Sequence, residues 1–211
     1  MNKQMEILLT RYPQLQSVSA DMMAAFELMK NSFLDGGKLL IAGNGGSAAD
    51  AEHIVGELMK AFTLPRKLDQ QHQKALVDVD GSMGKILAEN LQGALPAIAL
   101  DGHMSLTTAY MNDVEPLLCF AQQVNGYGRA EDVLLAISTS GNSQNVLYAA
   151  VTAKAKGMKV IGLTGEKESK LSQLADVCIR APHTETYMIQ ELHLPIYHCL
   201  CLMLEEEFFE K

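Results

Sequence analysis

Short apolar runs alternate along the chain with segments of helical periodicity. The clearest runs are Lys38–Ala42, Asp132–Ile137 and Lys159–Leu163, and shorter ones lie at Ala97–Leu100 and Val177–Ile179. Continuous apolar strands that alternate with helices are typical of a parallel sheet covered on both faces. The pattern therefore predicts an α/β domain built on a parallel sheet.

Helical periodicity fills most of the rest of the chain. One apolar stripe at helical spacing predicts an N-terminal helix over residues 1–35, which ends at Asp35-Gly36-Gly37. Such a stripe packs against the core or against another subunit. Its members are Met22, Phe26, Met29 and Phe33. Further helices are predicted from about Ala48 to Phe62, Met104 to Met111, Gln144 to Ala155 and Glu185 to Glu207. Residues 63–95 are less regular, with a short helix around Ser82 to Leu91, and no linker divides residues 1–211 into two domains.

Composition and charge exclude several classes of protein. The 211 residues are 48% hydrophobic and 20% charged, which is a globular composition. A net charge of −8 argues against a nucleic-acid or anionic-membrane binder that acts through bulk charge. No run of eighteen apolar residues and no signal-peptide pattern is present. The four cysteines lie in apolar segments without a C-x-x-C pair, so we expect reduced core residues and a cytoplasmic protein.

Two turns of small residues follow predicted strands. They are Gly43-Asn44-Gly45-Gly46-Ser47, here called the glycine turn, and Ser138-Thr139-Ser140-Gly141-Asn142-Ser143, the serine turn. Ligands of open parallel sheets bind at the carboxyl ends of the strands, and a helix start offers free N–H groups to an anion. The pair therefore predicts a phosphate cradle. For either turn alone, ordinary helix capping by Ser47 or Ser143 remains an alternative.

Neither turn matches a nucleotide signature. The chain has no Gly-Lys-Ser/Thr tripeptide of a P-loop. Gly43-x-Gly45-x-x-Ala48 fits the loose dinucleotide pattern, but residues 63–68 lack the acidic residue expected about twenty positions further on. A nucleotide-dependent enzyme therefore lacks its motif.

Two predicted helices carry side chains suited to metal binding or proton transfer. His53 and Glu57 are four residues apart, so they lie on one helix face. This spacing is compatible with a pair of metal ligands, with an acid–base pair and with an ordinary surface contact. Gln190 and His198 are eight residues apart, about 12 Å along a straight helix. They meet one ligand only if their side chains converge or the helix bends at Pro195. His193 is expected to pack in the core or to face solvent.

The two turns, in this order and on these elements, resemble the sugar isomerase (SIS) domain, and most closely the bacterial phosphoheptose isomerases. The resemblance implies a five-stranded parallel sheet of flavodoxin-like winding and a homotetramer with active sites shared between subunits. It also implies a sugar-phosphate pocket. Its members are Ser138, Thr139, Ser140 and Ser143 on the phosphate, with Asn44, Gly45, Gly46, Ser47, Asn112, Asp113 and Gln190 around the sugar.

The same resemblance implies the chemistry. It assigns a Zn²⁺ site to His53, Glu57, Gln190 and His198, with Glu57 and His198 also acting as base and acid. The implied reaction is an aldose–ketose isomerisation through an enediol, with sedoheptulose 7-phosphate or a related sugar phosphate as substrate. The alternative is a non-catalytic member that binds a sugar phosphate or a replication-initiator protein, although such a scaffold has no need of His53 and His198.

Three departures from the isomerase pattern bear on the substrate. Ala61 stands at the position of an arginine, for which Lys60 and Arg66 are candidate replacements, and Tyr187 stands at the position of an aspartate. Residues 63–95 are longer than in typical isomerases. We interpret them as an insertion that reshapes the sugar pocket, forms an interface or lid, or is a tolerated surface addition.

Overall fold

The computed structural model describes residues 2–210, which form ten α-helices and one sheet of five parallel strands. The helices are α1 (Lys3–Arg11), α2 (Ser19–Leu34), α3 (Gly46–Met59), α4 (Gln70–Val79), α5 (Met83–Asn90), α6 (Met104–Asp113), α7 (Cys119–Tyr127), α8 (Gln144–Ala155), α9 (Lys170–Leu174) and α10 (Thr186–Phe209). The strands are β1 (Leu39–Ala42), β2 (Ala97–Ala99), β3 (Val133–Ile137), β4 (Lys159–Gly165) and β5 (Val177–Ala181). Their order is β2-β1-β3-β4-β5, which is the predicted flavodoxin-like winding.

The sheet is buried on both faces, which explains the uninterrupted apolar runs. Leu39 and Ile41 of β1 belong to a core cluster with α1, α2, α3 and α10. Leu40 and Ala42 point to the opposite cluster, formed with α7 and α8. Because successive strand residues face opposite sides, a strand between two helical layers needs apolar residues at every position.

The N-terminal helical segment is interrupted, in contrast to the single helix predicted over residues 1–35. α1 ends at Arg11, a 3-10 turn covers Pro13–Val18, and α2 follows. Proline lacks an N–H and disfavours the helical conformation of the residue before it, and Tyr12 has φ −132° and ψ 72°. The predicted apolar stripe is confirmed within α2.

Residues 63–95 contain a helical hairpin of α4 and α5. Its two ends meet: Gly93 N donates to Arg66 O at 2.7 Å, and Lys67 and Gln92 form an antiparallel bridge. α5 matches the predicted short helix, whereas the sequence interpretation missed α4. The missed signal is Asp69, whose side chain caps α4 by accepting from His72 N at 2.8 Å.

α10 runs unbroken through Pro195 and packs against α3. Within the described residues, no helix combines the length and apolarity needed to cross a bilayer. All four cysteines are free thiols, and Cys119, Cys199 and Cys201 are buried.

Candidate active site

The two small-residue turns lie next to each other where the winding of the sheet reverses. The glycine turn follows β1 and the serine turn follows β3, and these two strands are neighbours with β2 and β4 on their outer sides. This is the position at which doubly wound sheets bind their ligands. Two reciprocal amide hydrogen bonds of 2.9 and 2.8 Å join Asn44 of the glycine turn to Asn145, which lies in α8 just after the serine turn.

The glycine turn leads into α3 and exposes Asn44, Gly45 and Gly46 at the start of the helix. Gly45 has φ 57°, a conformation that glycine adopts without the usual steric penalty. Gly46 leaves room for Gln190 of α10, since a Cβ there would lie 2.5 Å from the Gln190 Nε2 atom. The predicted residues Asn44, Gly45, Gly46, Ser47 and Gln190 therefore gather around one turn.

The serine turn is ordered by its own hydrogen bonds. The Ser138 and Ser143 hydroxyls lie 2.9 Å apart, and Ser140 Oγ accepts from Asn142 N at 3.2 Å. Gly141 has φ 64°, and its carbonyl accepts from Leu171 N at 3.0 Å. These bonds fix the shape of the turn at the start of α8.

A cavity of about 260 Å³ opens beside the serine turn. Thr139 and Ser140 line it together with Lys167 and His183. The lysine supplies a positive charge of the kind that binds a phosphate group, although the carboxylates of Glu166 and Glu168 line the same cavity. Lys167 was not among the predicted site residues, because nothing in the sequence placed the loop after β4 beside the serine turn.

Three of the four predicted metal-site side chains come together where α3 and α10 pack. His53 Nε2 lies 3.1 Å from Glu57 Oε1 and 3.4 Å from His198 Nε2. The two imidazole rings meet edge to face with centroids 4.9 Å apart. Glu57 is buried to 9% exposure, whereas His53 is exposed. Burial and the neighbouring His53 lower the pKa of His198, so this imidazole is mainly neutral at pH 7.

Of the two candidate replacements for the missing arginine, only Lys60 faces the site. Its ammonium group lies 3.2 Å from Glu57 Oε2. Arg66 is buried instead in an ion pair with Glu205, with Nε and Oε1 2.8 Å apart, and donates to the Glu57 and Leu58 carbonyls. Arg66 therefore holds the end of α3 and is not free to contact a ligand.

A second layer of polar side chains lies behind His53. The Tyr197 hydroxyl is 3.0 Å from His53 Nδ1 and 3.2 Å from Asp50 Oδ1. Burial and the Asp50 carboxylate raise the pKa of the Tyr197 phenol. Burial also raises the pKa of Asp50, although the hydrogen bond from Tyr197 opposes that shift. Sequence spacing offered no signal for this contact, since it joins two helices 147 residues apart.

Asn112 and Asp113 lie apart from the other predicted residues. They form the last turn of α6, not the segment after it, and are exposed. Asn112 Nδ2 donates to Asp113 Oδ1 at 2.8 Å. Among residues 2–210, neither side chain bonds to the turns or to the histidines. The structure of one chain therefore does not bring this pair into the candidate site.

The histidine cluster has the donor types of a zinc site but is not assembled as one. Two imidazoles and a carboxylate are typical Zn²⁺ ligands, and bonds of 2.0–2.1 Å give a tetrahedral edge of about 3.4 Å. The separations of 3.1 and 3.4 Å around His53 Nε2 are close to that edge. Over residues 2–210, however, no three His, Cys, Asp or Glu side chains are placed so that they could hold an ion together. A metal here therefore requires the ligand side chains to move from these positions.

Known proteins resemble this chain over most of its length. The family model for the SIS domain matches residues 83–165. The phosphoheptose isomerase of Rhodospirillum rubrum is 41% identical over 171 residues, covering 81% of this chain and 77% of the relative. That of Burkholderia pseudomallei is 34% identical over a 220-residue alignment, covering 100% of this chain and 98% of the relative. A solved phosphoheptose isomerase from Francisella tularensis has a TM-score of 0.76 at 31% identity, covering 93% of this chain and 91% of that one.

A parallel sheet of this winding, with a glycine turn and a serine turn at its reversal point, defines a protein of the SIS class. The relatives narrow the class further, because they are 41% and 34% identical to this chain over 81% and 100% of its length. The chain belongs to the phosphoheptose isomerase family, a family of sugar-phosphate isomerases.

Proposed function

We propose that this chain isomerises a sugar phosphate between its aldose and ketose forms, with sedoheptulose 7-phosphate or a close relative as substrate. One observation carries the proposal most directly: the buried carboxylate of Glu57 lies in contact with His53, which in turn contacts His198. A base and an imidazole are thus held side by side on two rigid helices, as proton transfer requires.

The phosphate end of the substrate would bind at the serine turn. Ser138, Thr139, Ser140 and Ser143 supply hydroxyls there, α8 supplies N–H groups at its start, and Lys167 supplies a positive charge. Contacts with this end lie away from the reacting carbons, so their binding energy orients the carbonyl toward Glu57. Asn44, Gly45, Gly46 and Ser47 would line the sugar between the serine turn and α10.

Glu57 is the proposed base. Its carboxylate would take the proton from the carbon next to the carbonyl, which gives an enediol, and would return it to the neighbouring carbon. His198, whose lowered pKa keeps it neutral, would exchange a proton with the sugar oxygens as charge develops there. Acid–base groups of this kind contribute about 10²–10⁴-fold each to the rate.

We also propose that His53, Glu57, Gln190 and His198 hold a Zn²⁺ ion. The donor types and the spacing around His53 Nε2 support three of these ligands. Gln190 packs against Gly46 at the start of α3 and would have to turn toward His53 to complete the set. Bound there, zinc would act as a Lewis acid on the sugar oxygens. Zinc analysis of the purified chain tests the site directly, and His53→Ala is expected to lower the bound fraction.

The proposed assembly is a homotetramer, as the family resemblance implies. α6 supports it, because none of the ten residues of this helix is buried within one chain. Met104 at the start of the helix is 77% exposed, and Val114, directly after its end, is 61% exposed. A second copy that covers this face would bring Asn112 and Asp113 next to a neighbouring subunit. Light scattering coupled to size exclusion measures the assembly, and a monomer would contradict it.

Turnover of sedoheptulose 7-phosphate, within a panel of five- to seven-carbon sugar phosphates, tests the proposed reaction. Glu57→Gln removes the base but keeps the shape, so it is expected to lower kcat by about 10²-fold or more. Glu27→Gln, the same change at an exposed residue of α2, serves as the matched control. Unchanged kcat in Glu57→Gln would reject the base. Turnover of none of the panel would reject the isomerase and favour the non-catalytic alternative.

A further inference from the structure

Tyr197 is the residue behind the histidine cluster that the proposed reaction leaves without a role. It follows His193 and precedes His198 on α10, is 2% exposed, and has its ring edge to face with both His53 and His198. Its hydroxyl lies between Asp50 Oδ1 at 3.2 Å and His53 Nδ1 at 3.0 Å. Three groups on two helices thus form a line of hydrogen bonds that ends on the imidazole.

The donor inventory fixes the direction of this line. An ionised carboxylate only accepts, and a phenol has one proton to donate. Asp50 Oδ2 is buried without a hydrogen-bond partner among residues 2–210, so Tyr197 is the one hydroxyl that satisfies this carboxylate. When Tyr197 donates to Asp50, its oxygen is left to accept from a proton on His53 Nδ1. Glu57 Oε1, 3.1 Å from His53 Nε2, competes for that proton on the other ring nitrogen.

We propose that Tyr197 is a positioning residue: fixed by Asp50, its hydroxyl holds the His53 proton on Nδ1 and so presents the Nε2 atom toward Glu57 and His198. Nε2 is the atom that both of these side chains face. A metal-ligating histidine needs its other ring nitrogen bonded in this way, because the bond sets the tautomer and the ring orientation. The inference rests on the proposed function in one respect, which is that His53 is a zinc ligand.

The first arm of the experiment reads the proton directly. Nitrogen NMR of the histidines is recorded on the zinc-free full chain at mildly alkaline pH, with the His53 signal assigned by its loss in His53→Ala. In the wild type, His53 Nδ1 is expected to carry the proton. Tyr197→Phe removes the acceptor, and Asp50→Ala frees Tyr197 to donate to Nδ1, so both variants should move the proton to Nε2.

The second arm measures zinc affinity by competition with a chelator. Tyr197→Phe is expected to weaken zinc binding about 10–100-fold, the usual effect of losing a partner of a metal-ligating histidine. It should also lower kcat while KM for the sugar phosphate stays the same, because the serine turn is untouched. Tyr148→Phe makes the same change at a half-exposed tyrosine of α8 and should leave all three readouts unchanged.

The outcomes separate the positioning role from the proposed reaction. The inference is wrong, whatever the activity, if the wild type carries the His53 proton on Nε2 next to Glu57, or if Tyr197→Phe and Asp50→Ala both keep it on Nδ1. If the wild type binds no zinc but the proton moves as expected, the positioning of His53 stands and the proposed metal site falls. Should Tyr197→Phe fail to fold, Asp50→Ala gives the same reading with the tyrosine in place.

Discussion

Replacing Arg66 by methionine is expected to destabilise the junction between α3, α10 and the helical hairpin. The Arg66 and Glu205 side chains are both fully buried and lie 2.8 Å apart. The Arg66 guanidinium also donates to Leu58 O at 2.6 Å and to Glu57 O at 2.8 Å, and stacks 4.6 Å from the Phe209 ring centre. One side chain therefore joins the end of α3 to the end of α10.

The magnitude follows from what Arg66→Met leaves behind. Glu205 keeps its bonds from the Phe62, Thr63 and Leu64 N–H groups but loses its only cation within the described residues. Burial alone would raise the pKa of Glu205, and the hydrogen bonds hold it below its ordinary value, so the group remains a buried charge. Breaking a buried ion pair on one side costs about 3–5 kcal/mol. For a domain of this size, that is a fall in Tm of roughly 6–20 °C.

Urea unfolding followed by circular dichroism measures the change. Lys74→Met is the matched control, because it breaks the exposed Lys74–Asp78 pair of α4 and should stay within about 0.5 kcal/mol of the wild type. A loss below about 1 kcal/mol in Arg66→Met would refute the reasoning. It would mean that the Glu205 carboxylate is satisfied by its N–H donors alone.

Two further changes test buried His193 and the contact between Gly46 and Gln190. Burial lowers the pKa of His193 to about 4, so protonation favours the unfolded chain, and stability present above pH 6.5 is lost as pH falls toward 4. Between pH 7.5 and 5, the free energy of unfolding measured in urea should fall by about 2 kcal/mol. This fall should disappear in His193→Gln, whose side chain can still donate to Thr164 O. The same pH dependence in the variant and the wild type would contradict the prediction. Gly46→Ala places a Cβ against Gln190, so the side chain must move, and zinc affinity and kcat should both fall while stability changes by less than about 1 kcal/mol. Unchanged zinc affinity would remove Gln190 from the metal site.

The sheet and its ligand-binding edge could be predicted because they depend on local patterns. Apolar runs bounded by Gly43-Asn44 and Ser138-Thr139 specify buried strands that end in open turns, and the structure has both. His193 was expected to pack or face solvent, and it packs, with Nε2 3.2 Å from Thr164 O. The helix predicted over residues 1–35 breaks at Pro13, which lacks an N–H and disfavours a helical conformation at Tyr12.

The contacts inside the site could not be predicted, because they depend on how helices cross. Spacing put His53 and Glu57 on one face, but only the packing of α10 on α3 determines that His198, and not His193, reaches them. The contacts of Tyr197 with Asp50 and His53 also depend on this packing, and its position in the sequence predicts only an ordinary core residue. Arg66 is the opposite case: its charge suggested a ligand contact, and burial with Glu205 gave it a structural role.

The reciprocal amide pair of Asn44 and Asn145 has a consequence for ligand selection. Because both amide groups are used, the gap between the glycine and serine turns is set when the chain folds. A sugar phosphate that spans the gap does not have to order either loop, so less conformational entropy is lost when it binds. We therefore expect the width of this gap to favour sugar phosphates of one carbon-chain length over shorter and longer ones.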